Sequence, residues 1–265
     1  MPEPDVNELF DLAGQVALVS GASGHLGFSL ASALAEAGAS VVVTSRDHGR
    51  AQQTASRLTV RGRARHTGVV LDHMDDASVR RGFNEAVTRM TRLDILVNNG
   101  HEAVASDWTN VTPAEFSRQL QNATGYFSLA RLTRDHAVQK RRPASIILIG
   151  SMYGVVGSYP DAYEGLMPAS PVAYHALKGA VVQMTRHLAV YWARDAVRVN
   201  CLSPGPFPND ARVPAELVAR LESKSPMGRM GQPHELKGAM LLLASPAGSY
   251  ITGQNIVVDG GWTAW

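Results

Sequence analysis

The chain has 265 residues, 45% of them apolar and 18% charged, an ordinary globular composition with enough length to bury a sizeable core. A formal charge of +2, with Arg61/Arg63/Arg65, Arg80/Arg81 and Lys140/Arg141/Arg142 scattered as solvated faces, argues against a nucleic-acid groove; no apolar run reaches spanning length, and residues 1–12 are acidic without a signal-type apolar region, which argues against a membrane partner or secretion. The nine histidines and the lone Cys201 form no metal-ligand spacing and no internal disulfide, so no metal is expected and a reducing, cytoplasmic setting is.

Residues 15–20, QVALVS, are a continuous β-prone run that leads into GASGHLG and then an apolar-periodic segment through Leu34 and Ala37. This predicts a strand, a glycine turn and a helix. Gly21, Gly24 and Gly27 permit a sharp turn, close approach to a pyrophosphate and tight helix-on-strand packing, and the helix N-terminus offers unpaired N–H groups to phosphates. Residues 40–46, SVVVTSR, form a second buried strand ending about twenty residues past the glycine turn, where an adenosine ribose is read. A carboxylate there would accept from the 2′-hydroxyl. Ser45 and Arg46 suit a 2′-phosphate instead, which favours NADP(H) over NAD(H), while Asp47 keeps NAD(H) open.

A helix over 49–58, a strand ending VVLD at Asp72, a helix over 77–90 and the strand LDILVNNG at 93–100 continue the alternation. It predicts a parallel sheet with right-handed crossovers and helices on both faces. Ligands in such sheets lie beyond the carboxyl ends of the strands, where Asp72, Asn98, Asn99, Gly100 and His101 fall; Asn98 has the competing role of tying neighbouring strands together. Thr112 and Glu115 make a capping box for a helix reaching Lys140. Within it Asn122 is a polar residue among Leu120, Tyr126, Phe127 and Leu129, and a buried amide there must be hydrogen-bonded.

ASIILIGSM, 144–152, is the fifth strand with Ser151 at its carboxyl end, and the Gly/Pro/Tyr-rich stretch 153–169 reads as a loop. The helix over 170–194 carries a core stripe of Ala173, Leu177, Ala180/Val181, Met184, Leu188 and Tyr191/Trp192. Tyr174 and Lys178 stand one above the other on a neighbouring face. An ammonium beside a phenol favours the phenolate, which moves the tyrosine pKa, about 10 when free, toward the range where a proton is exchanged with an alcohol or carbonyl oxygen. VRVNCLSPG, 197–205, is the sixth strand; an irregular, weakly helical region runs to Gly231, followed by a helix over 234–243 and the strand ITGQNIVVDGG at 251–261. No repeat or linker divides the chain, so one domain over 1–265 is expected, with 153–170 and 206–231 as loops at the mouth of the site.

Taken in order, SGASGHLG after the first strand, NNG after the fourth, Asn122, Ser151, Tyr174 with Lys178, SPG at 203–205 and ITGQNIVVDGG resemble the short-chain dehydrogenase/reductase family, single-domain branch, over residues 9–261. The leader LFDLAGQVALVSGAS, the SMYG after the fifth strand and the close VDGGWTAW look most like members acting on sugars and sugar acids, such as gluconate 5-dehydrogenases. The resemblance implies an α/β fold, a Rossmann-type doubly wound parallel sheet of about seven strands with helices on both faces. It implies hydride transfer between a nicotinamide cofactor and a secondary alcohol/ketone pair. Tyr174 would be the acid in reduction and the base in oxidation. Lys178 would hold the nicotinamide ribose and, with the oxidised ring, lower the Tyr174 pKa; Ser151 would bond the substrate oxygen; Asn122 would hold a water in a proton relay.

Cofactor contacts are then expected from Gly21, Ser23, His25, Leu26, Gly27, Ser45, Arg46, Asp72, Asn98, Gly100, Tyr174, Lys178, Pro204 and Gly205. Three features depart from the family pattern. His25 replaces a usual glycine. His101 follows Asn98-Asn99-Gly100 and puts an imidazole near the expected nicotinamide end. Ser151 and Tyr174 are 23 positions apart, more than the family usually leaves, so the stretch between them must bulge out and return, which makes Tyr159, Tyr163 and Glu164 candidates for reading a polar substrate. The family commonly forms tetramers through the helices found here at 112–140 and 170–194, so a homo-oligomer is implied. The competing readings are a 3-oxoacyl-thioester reductase and a non-catalytic NADP-binding sensor or scaffold.

Overall fold

A computed structural model describes residues 3–209 and 213–264. Strands β1 (Val16–Val19), β2 (Ser40–Ser45), β3 (His66–Val70), β4 (Ile95–Asn98), β5 (Ala144–Ile149), β6 (Val197–Pro204) and β7 (Asn255–Val258) form one seven-stranded sheet in the order β3-β2-β1-β4-β5-β6-β7. Every neighbouring pair is parallel. Parallel neighbours need crossovers, and the chain supplies them as helices: α1 (Val6–Phe10) precedes the sheet, then come α2 (His25–Glu36), α3 (His48–Ser56), α4 (Asp76–Met90), α5 (Pro113–Lys140), α6 (Pro160–Tyr163), α7 (Val172–Trp192), α8 (Ala215–Glu222) and α9 (Lys237–Ala244).

The sheet is covered on both faces, and the period of two shows which side chain goes where. Val16 and Leu18 of β1, with Leu96, Ile146 and Leu148, meet Phe83, Leu129, Val181 and Leu188 from α4, α5 and α7. Their sequence neighbours Ala17, Val19, Ile95, Val97 and Ile147 meet Leu30, Leu34 and Leu243 from α2 and α9. Because both faces are buried, strands such as VALV and ASIILI read as unbroken apolar runs. The strand order reverses between β1 and β4, so the carboxyl ends of those two strands border the crevice in which such sheets bind ligands.

The capping box of Thr112 and Glu115 starts α5 as expected. Elsewhere the chain differs from the expectation. Residues 153–169 are not simply loop: a 3₁₀ turn at Met152–Gly154 and α6, opened by Pro160, fold this stretch against a third, smaller core of Met152, Ala162, Leu217, Leu221, Met230 and Trp262. β7 is shorter than 251–261, because Gly253 at φ +75° interrupts the extended run. The stripe of α7 continues past Leu188 and Ala189 to Trp192, which packs against the core, whereas Tyr191 is 65% exposed rather than core. Residues 210–212, within the stretch 206–231 expected at the mouth, lie outside the described residues.

Candidate active site

The carboxyl ends of β1 and β4 are joined by one hydroxyl. Ser20 Oγ accepts from the N–H groups of Asn99 and Gly100 at 2.9 Å each and donates to Asn98 Oδ1 at 3.3 Å. Asn99 Nδ2 returns the tie, donating to the Ser20 and Gly21 carbonyls at 3.3 and 3.1 Å. The turn beside it admits only glycine at two positions. Gly21 sits at φ +63°, where a Cβ would lie 2.8 Å from Gly100 Cα, and a Cβ on Gly27 would lie 2.3 Å from the Gly21 carbonyl oxygen. Gly24 caps α2, whose first backbone bond runs from Phe28 N to the Gly24 carbonyl at 3.0 Å. The N–H groups of His25, Leu26 and Gly27 therefore lack intrahelical partners.

Those amides open on a cleft of about 340 Å³ lined by Gly24, His25, Leu26 and Gly27 on one side, Asn99 and His101 on another, and Ile149, Gly150, Ser151, Tyr174, Lys178, Pro204, Gly205 and Phe207 around the rest. Unpaired amides at a helix end, a backbone without side chains and a neighbouring lysine fit the pyrophosphate and ribose of a dinucleotide. The sequence places Asn99 at a ligand-bearing strand end without naming it a cofactor contact, and does not single out Ile149, Gly150 or Phe207. Asn99 has a signal in the doubled asparagine after a buried strand; Phe207, in the irregular segment after β6, has none.

Ser151, Tyr174 and Lys178 come together in this cleft. Burial raises the Tyr174 phenol above its ordinary pKa, opposed by the nearby Ser151 hydroxyl and reinforced by the Tyr163 phenol. Lys178 is 4% exposed; its Nζ donates to the Ile149 carbonyl at 2.8 Å and lies 5.6 Å from the centre of the Tyr174 ring. Burial pushes its pKa down to about 8, with Cys201 acting weakly the other way. From the protein groups alone, the direction at Tyr174 is upward, opposite to the lowering expected from the neighbouring ammonium. Desolvation penalises charge on both partners.

Asn122 is buried and wholly engaged. Its Oδ1 accepts from Glu102 N at 2.8 Å and meets His73 Nε2 at 2.7 Å, while its Nδ2 donates to the Glu102 and Gln119 carbonyls at 3.0 and 2.8 Å. Two acceptor positions and two donors are all an amide has. Its side chain is thus taken up by protein groups rather than held open for a water. His73, beyond β3, is a partner that the sequence does not announce.

Other expected residues fall elsewhere. Asn98 is fully enclosed, and its Nδ2 donates to the Tyr126 carbonyl at 2.9 Å, so it ties β4 to α5 instead of reaching the cleft. Gly100 presses against His73 and Ser20 behind the lining. Asp72 accepts from Met74 N at 3.0 Å and shapes the turn after β3. Ser23 is exposed on the glycine turn. Asp47 accepts from Arg50 N at 2.6 Å and caps α3, whereas the Arg46 side chain is 70% exposed, with its Nη1 3.4 Å from Glu102. Ser45 Oγ accepts from Asp47 N at 3.3 Å. Gly205 is required where it is, since a Cβ there would lie 2.5 Å from Asp259 Cα.

Of the candidates for reading substrate, His101 lines the cleft with its ring centre 5.4 Å from that of Tyr174. Tyr163 and Glu164 do not line it. The Tyr163 hydroxyl meets that of Tyr153 at 3.0 Å, and Tyr153 stacks on His175 at 4.5 Å. The Glu164 carbonyl accepts from Arg220 Nη1 at 2.7 Å, which, with Lys224 Nζ on Asp161 at 2.5 Å, latches the inserted stretch to α8. Tyr163 thus bonds within its own wall while its phenol stays close enough to act on Tyr174, and the Glu164 contact is made by its backbone.

Over residues 21–263 the chain matches a family model described as enoyl-(acyl carrier protein) reductase, and it belongs to the short-chain dehydrogenase/reductase family. It is 34% identical over 266 residues to a galactitol 2-dehydrogenase (L-tagatose-forming) of Cereibacter sphaeroides, covering 98% of this chain and 100% of that one. It is 35% identical over 262 residues to the rhamnolipids biosynthesis 3-oxoacyl-(acyl-carrier-protein) reductase of Pseudomonas aeruginosa, covering 96% and 98%. A gluconate 5-dehydrogenase from Burkholderia cenocepacia, solved in complex with NADP and tartrate, is similar with a TM-score of 0.87 at 31% identity, over 98% of this chain and 100% of that one. The chain is an enzyme, a nicotinamide-dependent oxidoreductase of alcohol and carbonyl groups.

Proposed function

We propose that the enzyme is an NADP(H)-preferring reductase or dehydrogenase of a secondary alcohol/ketone pair in a sugar or sugar acid, with Tyr174 as its acid/base group. The observation that carries the reading is the gathering of Ser151, Tyr174 and Lys178 beside the unpaired amides of α2. The nicotinamide cofactor supplies or takes the hydride when bound. Tyr174 donates to the carbonyl oxygen in reduction, and Ser151 holds that oxygen in line. Lys178 uses one donor on Ile149 and keeps two for the ribose hydroxyls. Asn122 positions the wall at 102–104 and His73.

The preference for NADP(H) rests on Asp47 being committed to α3, which leaves Ser45 and Arg46 to meet the ribose. Residues 153–170 and 206–231 form the substrate mouth of one catalytic domain. Val190 and Tyr191, exposed apolar groups at the end of α7, support a homo-oligomer built on that helix. We place the enzyme in the cytoplasm. The name of the Pseudomonas aeruginosa relative favours a second reading, a 3-oxoacyl-thioester reductase.

The test is oxidation of NADPH and NADH, followed by absorbance, with keto-sugar acids, ketoses, simple ketones and a 3-oxoacyl thioester, beside Tyr174→Phe. Turnover of a sugar or sugar acid with NADPH, lowered about 10²–10⁴-fold in the variant, supports the first reading. Turnover confined to the thioester moves the assignment to the second. Binding of NADPH with no turnover of any substrate would speak for a sensor.

A further inference from the structure

Gln119 lies on α5 with no exposed surface, behind the residues that line the cleft. Its Oε1 accepts from Val104 N at 2.8 Å. A backbone N–H can only donate, so this end of the amide must be the oxygen and the other must be the NH₂ group. That NH₂ lies 2.7 Å from His101 Nε2. Two N–H groups cannot face each other at that distance, so Nε2 must present a bare lone pair. The ring proton then belongs on Nδ1, the other edge of an imidazole that lines the cleft beside Tyr174.

From this geometry we infer that Gln119 locks His101 as the neutral Nδ1–H tautomer, which makes His101 a fixed hydrogen-bond donor to an oxygen next to the reacting carbon of the substrate. The inference rests on the reading of the cleft as the site of alcohol/ketone chemistry. Gln119 is a positioning residue; His101 is the contact. A site with a donor fixed in this way favours substrates that carry the acceptor, since a substrate without it leaves the donor unpaired. The acceptor is a hydroxyl or carboxylate oxygen.

The same lock opposes protonation, because an imidazolium would turn a second N–H onto the Gln119 NH₂. The groups around the ring act in the same direction. Lys178 and Tyr174 face it from α7 and His73 from the turn after β3; although His101 as a residue is exposed, packing of its ring against the cleft wall, then the neighbouring Lys178 and His73, lower the imidazole pKa. Glu102, next along the chain, gives no compensating pull, since its carboxylate is taken up by Arg118 at 2.6 Å and Arg46 at 3.4 Å.

The experiment uses the full chain with ring-¹⁵N-labelled histidine, read by proton–nitrogen correlation with His101 assigned through His101→Phe, beside Gln119→Glu. The carboxylate introduced by Gln119→Glu retains an acceptor for Val104 N but replaces the NH₂ by an oxygen, so the ring should turn to Nε2–H and its pKa should rise toward or above the ordinary value of about 6.5. Nδ1–H in the wild type across pH 6–8, lost in the variant, is the expected result; Nε2–H or an imidazolium in the wild type at pH 7 would overturn the lock. In turnover, the preference for an α-hydroxy ketone or an α-keto acid over the deoxy ketone should fall about tenfold in the variant, equivalent to about 1.4 kcal/mol, with a new ionisation in its pH profile. An unchanged preference and profile would overturn the specificity role. The expected spectrum without turnover of any ketone would count against the proposed chemistry and leave the lock standing.

Discussion

The floor of the cleft and its mouth are built in opposite ways. The floor is main chain held at close quarters: Gly21 and Gly27 approach main-chain atoms at distances no side chain would allow, and the short polar side chains of Ser20 and Asn99 bind main-chain groups of the opposing strand end. The mouth is side chain held by side chain: Trp262, Tyr159 and Met152 pack with Leu217 and Leu221 of α8, and charged groups close the outer edge. The floor suits a cofactor shared by many enzymes, and the mouth is where one substrate can be told from another.

The largest effect should come from breaking the mouth. Trp262 is 2% exposed and meets Tyr159 edge-on with ring centres 5.3 Å apart. Trp262→Ala should cost about 3–5 kcal/mol in that small core, confined to it if the wall opens as its own unit. We expect the KM for substrate to rise steeply while fluorescence titration with NADPH gives an unchanged Kd. Cofactor affinity that fell in step with substrate affinity would show floor and mouth to be one cooperative body.

That contrast also explains what can be read before the structure. Glycines forced by backbone contact leave a spacing in the sequence, as do strands buried on both faces, so Gly21, Gly27, Asn99 and the alternation that builds the sheet are within reach. The Tyr174–Lys178 pair is legible as a spacing, but its charge state is not, because the cost of burial depends on neighbours far away in the chain. The latch of Asp161 to Lys224 joins residues 63 positions apart, and the fully engaged Asn122 depends on His73, 49 positions away. Local patterns carry no record of such partners.

Lys178 carries the next effect and belongs to the floor. Its pKa is depressed from 10.5 to about 8 by burial, so the folded chain binds fewer protons than the unfolded chain between about pH 8 and 10.5. The penalty for holding the ammonium is fully present below pH 8 and is relieved as pH rises through that window. Lys178→Met should therefore raise stability at pH 7 by up to about 3 kcal/mol, less the loss of its bond to Ile149, and the gain should vanish above about pH 10. Urea unfolding at neutral and at high pH measures it. Equal gains at both values would trace the effect to packing instead of charge. Turnover should be lost in the same variant.

Gly27→Ala tests the floor by steric means. The new Cβ would lie 2.3 Å from the Gly21 carbonyl oxygen and 2.7 Å from Asn99 Nδ2, so the turn or the asparagine must move, at a cost of about 1–3 kcal/mol. The expected outcome is at least a tenfold rise in the Kd for NADPH, read by fluorescence titration, with hydrogen exchange in 153–169 unchanged. Faster exchange in that segment would mean that the strain reaches the mouth.

The smallest effect should come from the latch, and its smallness is informative. Asp161 is 62% exposed at its side chain and Lys224 29%, so solvent screens their ion pair and it contributes little to stability. Lys224 also lies over the Tyr159 ring, 5.1 Å from its centre, and Arg220 binds the Asp161 and Glu164 carbonyls on the same edge. Asp161→Asn removes the charge but leaves those backbone contacts, so the wall should stay folded with its melting temperature within about 2 °C of the wild type. If the wall closes over substrate as a rigid piece, the KM should not respond to the loss or to about 0.5 M salt, because screening acts on the pair and not on the packed aromatics beneath it. A KM that rises with salt in the wild type but not in Asp161→Asn would show that the charged edge, rather than the Trp262 core, sets how firmly the mouth is held.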